Sequence, residues 1–165
     1  MLRPWMPQQE IAVMDAIFAL KRPKRVLEYG AGGSTVRWSA FPSVEEWVTV
    51  EHDAEWLRKT AEEVDAKVQF HFADSPDPRA YVAWAPDSFV PWGSQGPFDL
   101  IFVDGIHRVA CVKASTQFLA PHGVVIMHDV WQGDRLGAFG TYPHEAILGK
   151  PDRLHNGFLV MWGEP

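Results

Sequence analysis

Val26-Leu27-Glu28-Tyr29-Gly30-Ala31-Gly32-Gly33-Ser34-Thr35 decides how this chain is read. A short apolar run ends at an acid and a glycine loop, and a helical stretch opens behind the loop. The glycines let the backbone turn sharply and come close to a ligand. A dinucleotide-binding loop asks for glycine or alanine at its sixth place. Gly30 and Gly32 fit the first two places, but Thr35 stands at the sixth. Glu28 lies just ahead of the first glycine. Its charge would repel an anionic pyrophosphate and attract a cation such as an amino group or a sulfonium.

Working outward, the pattern alternates short apolar runs with helical periodicity. Upstream, Ile11, Met14, Ala16, Ile17, Phe18 and Leu20 predict an amphipathic helix over 7–20 with Pro7 in its first turn. Lys21, Arg22, Lys24 and Arg25 follow as a solvated turn that suits a helix C-terminus, or as an anion-holding patch. The first strand spans 25–29 and a helix spans 34–40. Downstream, strands are predicted over 47–51, 67–72, 98–103 and 124–127, with a last one over 157–162 and weaker structure over 139–148. Asp53 caps a helix over 54–64 with Trp56, Leu57, Ala61 and Val64 on one face. A further helix spans 108–119, closed by Pro121-His122-Gly123. Residues 76–97 hold five prolines and two glycines and read as a surface loop with a short helix over 79–85. Near-continuous apolar strands alternating with helices predict an α/β fold with a mostly parallel sheet covered on both faces. Right-handed crossovers then gather the strand C-terminal ends on one edge, where open α/β sheets bind ligands. Glu28, Glu51, Asp74, Asp104, and the pair His128 and Asp129 all fall there.

Composition narrows the function. The 165 residues suit one domain over 1–165, and 47% apolar with 22% charged residues excludes a disordered or fibrous chain. Fifteen Lys and Arg against twenty-one Asp and Glu give a net charge of -6, which argues against a general nucleic-acid grip. No apolar run reaches the ~18 residues of a membrane span. The first twenty residues lack the layout of a secretory signal, so a cytoplasmic location is expected. Cys111 is the single cysteine, which excludes an intrachain disulfide and a cysteine-cluster zinc site. It reads as core. Eight Trp are many for this length, and some can serve as flat ligand walls.

Glu51 lies 19 residues past Gly32, close to the ~20-residue offset at which a carboxylate grips ribose hydroxyls. His52 is either a surface residue or a lip for an adenine. Asp74-Ser75 is turn chemistry that would also suit an exocyclic amine.

Together the blocks VLEYGAGGST, VEHD, FDLIFVDG and GVVIMHD resemble the class I S-adenosylmethionine-dependent methyltransferases, over residues 26–130. Within that group they look most like small-molecule O-methyltransferases, and VDGIHRVAC resembles a branch acting on sugars and polysaccharides. The resemblance implies a Rossmann-like, doubly wound, seven-stranded sheet with an antiparallel C-terminal strand. It implies S-adenosylmethionine as cofactor, with Glu28, Gly30, Ala31, Gly32, Ser34 and Thr35 around its methionine end. Glu51 and His52 would then meet the ribose and adenine rim, and Asp74 and Ser75 the adenine. Asp104 would lie at the methyl-transfer edge, and Asp104, His107 and His128 are the candidate bases. In metal-dependent members an acid after the fourth strand and an acidic pair after the fifth bind magnesium. Asp104 and Asp129 match, but His128 replaces the other acid and suits zinc, manganese or iron better. Arg108 would pair with an acidic substrate or with Asp104. Tyr81, Trp84, Phe89 and Trp92 would form a lid, and Trp131 a second wall. The chain is short for the family, which leaves room for only a modest substrate-recognition element, one that a second subunit of a homodimer could complete.

Two other functions stay open at this point. One is a metal-dependent hydrolase built on Asp104, His107, His128 and Asp129. The other is a cofactor-binding module without turnover. A nicotinamide oxidoreductase is disfavoured by Glu28 and Thr35.

Overall fold

The computed structural model describes residues 1–74, 77–83, 97–149 and 157–163. Five strands run in parallel: β1 (Arg25–Tyr29), β2 (Glu46–Glu51), β3 (Val68–Phe72), β4 (Phe98–Val103) and β5 (Leu119–His128). β7 (Phe158–Trp162) runs antiparallel between β5 and β6 (His144–Leu148). The sheet is seven-stranded with order β3-β2-β1-β4-β5-β7-β6, the Rossmann-like methyltransferase arrangement expected of it. The helices are α1 (Gln8–Lys21), α2 (Gly33–Ser39), α3 (Ala54–Ala61), α4 (Pro78–Ala83) and α5 (Arg108–Ser115), with a 3-10 turn at Arg135–Ala138.

Side chains alternate across a strand, so an apolar run buries both faces of the sheet. Val26, Leu100, Phe102, Val124 and Ile126 pack with Met14 and Phe18 of α1 and Trp38 of α2. Their neighbours Leu27, Tyr29, Ile101, Val103, Val125 and Met127 pack with Tyr81 of α4 and with Cys111 and Val112 of α5. Cys111 is thus core, as expected, and burial pushes its thiol pKa far up. The basic cluster after α1 is a turn. Arg22 takes the left-handed cap, Lys24 pairs with Glu45 at 2.9 Å, and Arg25 pairs with Glu46 at 2.7 Å.

Some boundaries move. α5 stops at Ser115, where the Ser115 and Thr116 hydroxyls donate back to the Val112 and Lys113 carbonyls and compete with the helix ladder. Pro121-His122-Gly123, read as a helix closure, lies inside β5, across a register shift against β4. Gly123 fits there because a Cβ would meet the Leu119 side chain at 2.6 Å. α3 is capped by Asp53 as predicted but ends at Ala61, and its buried residue is Thr60. Trp56 and Ala61 are exposed, which corrects the apolar face drawn from periodicity. Tyr81 is no lid residue: it is fully buried, and its hydroxyl donates to the Val50 carbonyl. Trp84, Phe89 and Trp92 lie outside the described residues.

Candidate active site

β1 and β4 are neighbours whose connections leave in opposite directions, so a crevice opens beyond their C-terminal ends. Backbone packs on backbone at its floor. Gly30 has φ +102°, and a Cβ there would lie 2.6 Å from the Gly105 nitrogen. The Asp104 N–H donates to the Tyr29 carbonyl at 2.9 Å, and the Gly30 N–H donates to the Val50 carbonyl at 2.8 Å. Gly33 is crossed by the N-terminal segment, since a Cβ there would lie 2.0 Å from the Arg3 carbonyl carbon.

Glu28 is fully buried under the loop. One carboxylate oxygen accepts from the Ser34 hydroxyl at 2.5 Å, and the other accepts from Thr35 at 2.6 Å and the Trp47 indole at 3.0 Å. Thr35 in turn accepts from the Gly32 N–H at 2.9 Å. Burial drives the Glu28 carboxyl up to about 8, against the lowering effect of those three donors. Glu28, Ser34 and Thr35 therefore brace the loop from beneath. Gly30, Ala31 and Gly32 form the turn of the loop itself and are buried between Gly105 and Trp56.

Glu51 ends β2 at the rim of that loop and is 4% exposed. Its Oε1 accepts from the His52 and Asp53 N–H groups at 2.7 and 2.8 Å, and its Oε2 accepts from the Ala31 N–H at 2.8 Å. A carboxylate oxygen can accept twice, so Oε2 keeps capacity for a hydroxyl donor. His52 is a surface residue whose Nδ1 lies 2.8 Å from Glu51. Asp74 is exposed just past β3, and Ser75 lies outside the described residues. Trp56 was read as helix core. Instead its indole donates to the Ala31 carbonyl at 2.5 Å, and a Gly32 Cβ would lie 3.1 Å from its Nε1.

Across the crevice, the ends of β4 and β5 carry an ionic network. His128 is buried, with Nδ1 2.9 Å from Asp104 and Nε2 2.8 Å from Glu10 of α1. Burial lowers its pKa, but the hydrogen bonds to both carboxylates and the charges of Asp104 and Asp129 outweigh that and raise it to about 9. His128 is thus an imidazolium at neutral pH, which removes it as a general base. Arg108 lies between Asp104 and Asp129 at 3.0 and 2.8 Å, and Arg135 reaches Asp129 at 3.1 Å. Burial raises the Asp129 carboxyl, yet the charges of His128 and Arg108 bring it below its usual value. Asp129 sits at φ +57°, a left-handed conformation tolerated by Asp better than by most residues. His107 caps α5 at φ +53° and stands edge-on to Tyr81, 6.1 Å between centroids. Beyond the network, Trp131, Leu136 and Phe139 are exposed apolar surface.

The three candidate metal residues do come together: Asp104, His128 and Asp129 each offer an atom within 4.8 Å of the others. Both His128 nitrogens are hydrogen-bonded to carboxylates, so the imidazole has no lone pair to give, and both aspartates are already paired with guanidinium groups. As arranged, this set would surround a divalent cation with three positive side chains and does not fit one. Glu10 was missed from sequence. Its signal was its place on the buried stripe Glu10, Met14, Phe18, four residues apart on one helix face.

No helix among the described residues is long and apolar enough to cross a membrane. No curated protein matches the chain. Solved structures share the fold. One from Klebsiella pneumoniae, whose suggested activity is O-methyl transfer, superposes with TM-score 0.73 at 19% identity, covering 97% of this chain and 82% of that one. The O-methyltransferase TomG from Streptomyces achromogenes, solved with S-adenosylmethionine, gives TM-score 0.66 at 16% identity over 96% of this chain and 81% of that one. The MycE methyltransferase, solved with magnesium and S-adenosylhomocysteine, gives TM-score 0.61 at 22% identity over 93% of this chain but 46% of that one. The family model described as a methyltransferase domain matches residues 27–130, the span holding the glycine loop, Glu51, Asp104 and Asp129. The chain belongs to that family and is a class I S-adenosylmethionine-dependent methyltransferase.

Proposed function

We propose that this enzyme moves the methyl group of S-adenosylmethionine to a hydroxyl oxygen of a small, uncharged acceptor. The observation that carries this reading is the glycine loop at the switch point with the Glu51 carboxylate on its rim. In this reading Gly30, Ala31 and Gly32 line the methionine end, and Glu51 Oε2 accepts from a ribose hydroxyl. Asp74, with Ser75, meets the adenine. Glu28 acts through the loop it braces.

The reaction is an in-line displacement: the C–O bond forms as the C–S bond breaks, leaving a neutral thioether. The protein's task is to align the acceptor and take its proton. His128 is already protonated, so His107 is assigned that proton and Asp104 the orientation of the hydroxyl. The network beside it pairs three carboxylates (Glu10, Asp104, Asp129) with three cations (His128, Arg108, Arg135), which favours an uncharged acceptor. Trp131, Leu136 and Phe139 offer it a flat apolar wall.

The test is incubation with methyl-labelled S-adenosylmethionine and a panel of hydroxylated small molecules. Expected is label on an acceptor oxygen, lost in His107→Asn (a residue that tolerates the left-handed cap) with cofactor affinity unchanged. Label on nitrogen or carbon, or full activity in the variant, contradicts the assignment.

A further inference from the structure

We propose that Arg108 is a built-in cation that takes the place of a divalent metal ion at this site. The inference rests on the reading of Asp104 as the methyl-transfer edge. A guanidinium has five N–H donors. Arg108 makes four hydrogen bonds and one further ion-pair contact. Nε donates to the Gly105 carbonyl at 2.9 Å. Nη1 donates to the His128 carbonyl at 2.6 Å and to Asp129 Oδ2 at 2.8 Å. Nη2 donates to the Asp104 carbonyl at 2.9 Å and forms an ion pair with Asp104 Oδ1 at 3.0 Å. The side chain is 11% exposed, so water competes little for these bonds.

Every one of those acceptors is an oxygen, and they come from the ends of both β4 and β5. An all-oxygen set converging on one positive centre is what a hard divalent cation demands. Here the positive centre is carried by the chain itself. The guanidinium ties the two strand ends together, pairs with both aspartates, and holds the Asp104 carboxylate beside His128. A divalent ion added to this balanced cluster would meet two guanidinium groups and an imidazolium at close range. Because its hydrogen bonds and ion pairs all lie within the network, Arg108 is a positioning residue and does not hold the acceptor.

The experiment measures Mn2+ binding by the electron paramagnetic resonance of the free ion, with metal-stripped protein and neither cofactor nor acceptor present. Its outcome is therefore independent of whether the methyl-transfer reading holds. Wild type is expected to bind no Mn2+ up to about 1 mM. Arg108→Ala opens the oxygen set and should bind a single Mn2+ at least about ten-fold more tightly than wild type. Adding Asp129→Asn to that variant should abolish the site, and Mn2+ should raise the melting temperature of Arg108→Ala alone. Stoichiometric Mn2+ binding by wild type that Asp129→Asn removes would overturn the proposal. So would a folded Arg108→Ala that gains no affinity. Should Arg108→Ala not fold, the wild-type titration with and without Asp129→Asn decides the matter.

Discussion

The two banks of the crevice hold buried carboxylates in opposite ways. On the β1–β2 bank, Glu28 and Glu51 are held by hydroxyl, indole and backbone N–H donors, with no Lys or Arg among the described residues paired to either. On the β4–β5 bank, Asp104, Asp129 and Glu10 are each matched by a cationic side chain. Neutral donors orient a carboxyl group, while ionic partners cancel its charge. One bank therefore offers the Glu51 carboxylate to a ligand that brings hydroxyl donors, as a nucleoside does, while burial raises the Glu28 carboxyl to about 8 and leaves it little charge to present at neutral pH. The other is made to position an uncharged group. The same element type thus serves two tasks, and the difference lies in the partners.

The strongest way to break the comparison is to separate the banks. Gly30→Ala puts a Cβ into the Gly105 backbone at a positive φ, so it should cost about 3 kcal/mol or more of stability in urea unfolding. Unaltered stability would mean that the floor of the crevice is not the backbone contact described. Gly32→Asp should leave the fold intact, crowd Trp56, and weaken S-adenosylhomocysteine binding by roughly 100-fold or more. Retained affinity would remove the loop from the cofactor site. Glu51→Ala should weaken the same binding by about 1.5–3 kcal/mol, the scale of a hydrogen bond to a charged group. An unchanged affinity in calorimetry would refute its ribose role.

The smallest expected effect sharpens the electrostatic half of the comparison. The Glu28 carboxyl is raised from 4.5 to about 8 in the folded chain by burial. The folded state therefore binds the proton that the unfolded state releases. Its stabilisation is complete below the unfolded value and is lost as pH rises toward 8, with a slope of at most about 1.4 kcal/mol per pH unit. His128, raised to about 9, adds its own loss only above its usual range. Between about pH 5.5 and 6.5, Glu28→Gln should thus flatten the fall of unfolding free energy seen in wild type. Parallel curves would show that Glu28 is ionised throughout and that the braces dominate burial.

Much of this was readable in advance. β1 and β4 came out with their observed bounds because each apolar run is closed by a glycine-bearing turn. The order of glycine loop, Glu51, Asp104 and Asp129 along one sheet edge followed from strand endings alone. What stayed hidden was three-dimensional pairing. Glu10 and His128 are 118 residues apart, and no local pattern announces that they touch. Trp56 fits a helical apolar stripe as well as it fits a ledge over Gly32, and only packing separates the two. His128 was legible as a base by residue type. Its two carboxylate partners, supplied by α1 and by the end of β4, are what make it a fixed cation. Arg108 was legible as a partner of Asp104, but its bonds to three carbonyls depend on backbone directions that sequence does not carry.

Calorimetric titration of the purified protein with S-adenosylhomocysteine and, separately, with NAD decides whether the glycine loop and Glu51 hold a sulfonium nucleoside. Micromolar binding of the first, reduced in Glu51→Ala, and none of the second is expected. Binding of NAD, or no binding of S-adenosylhomocysteine with or without added divalent metal, would contradict that role.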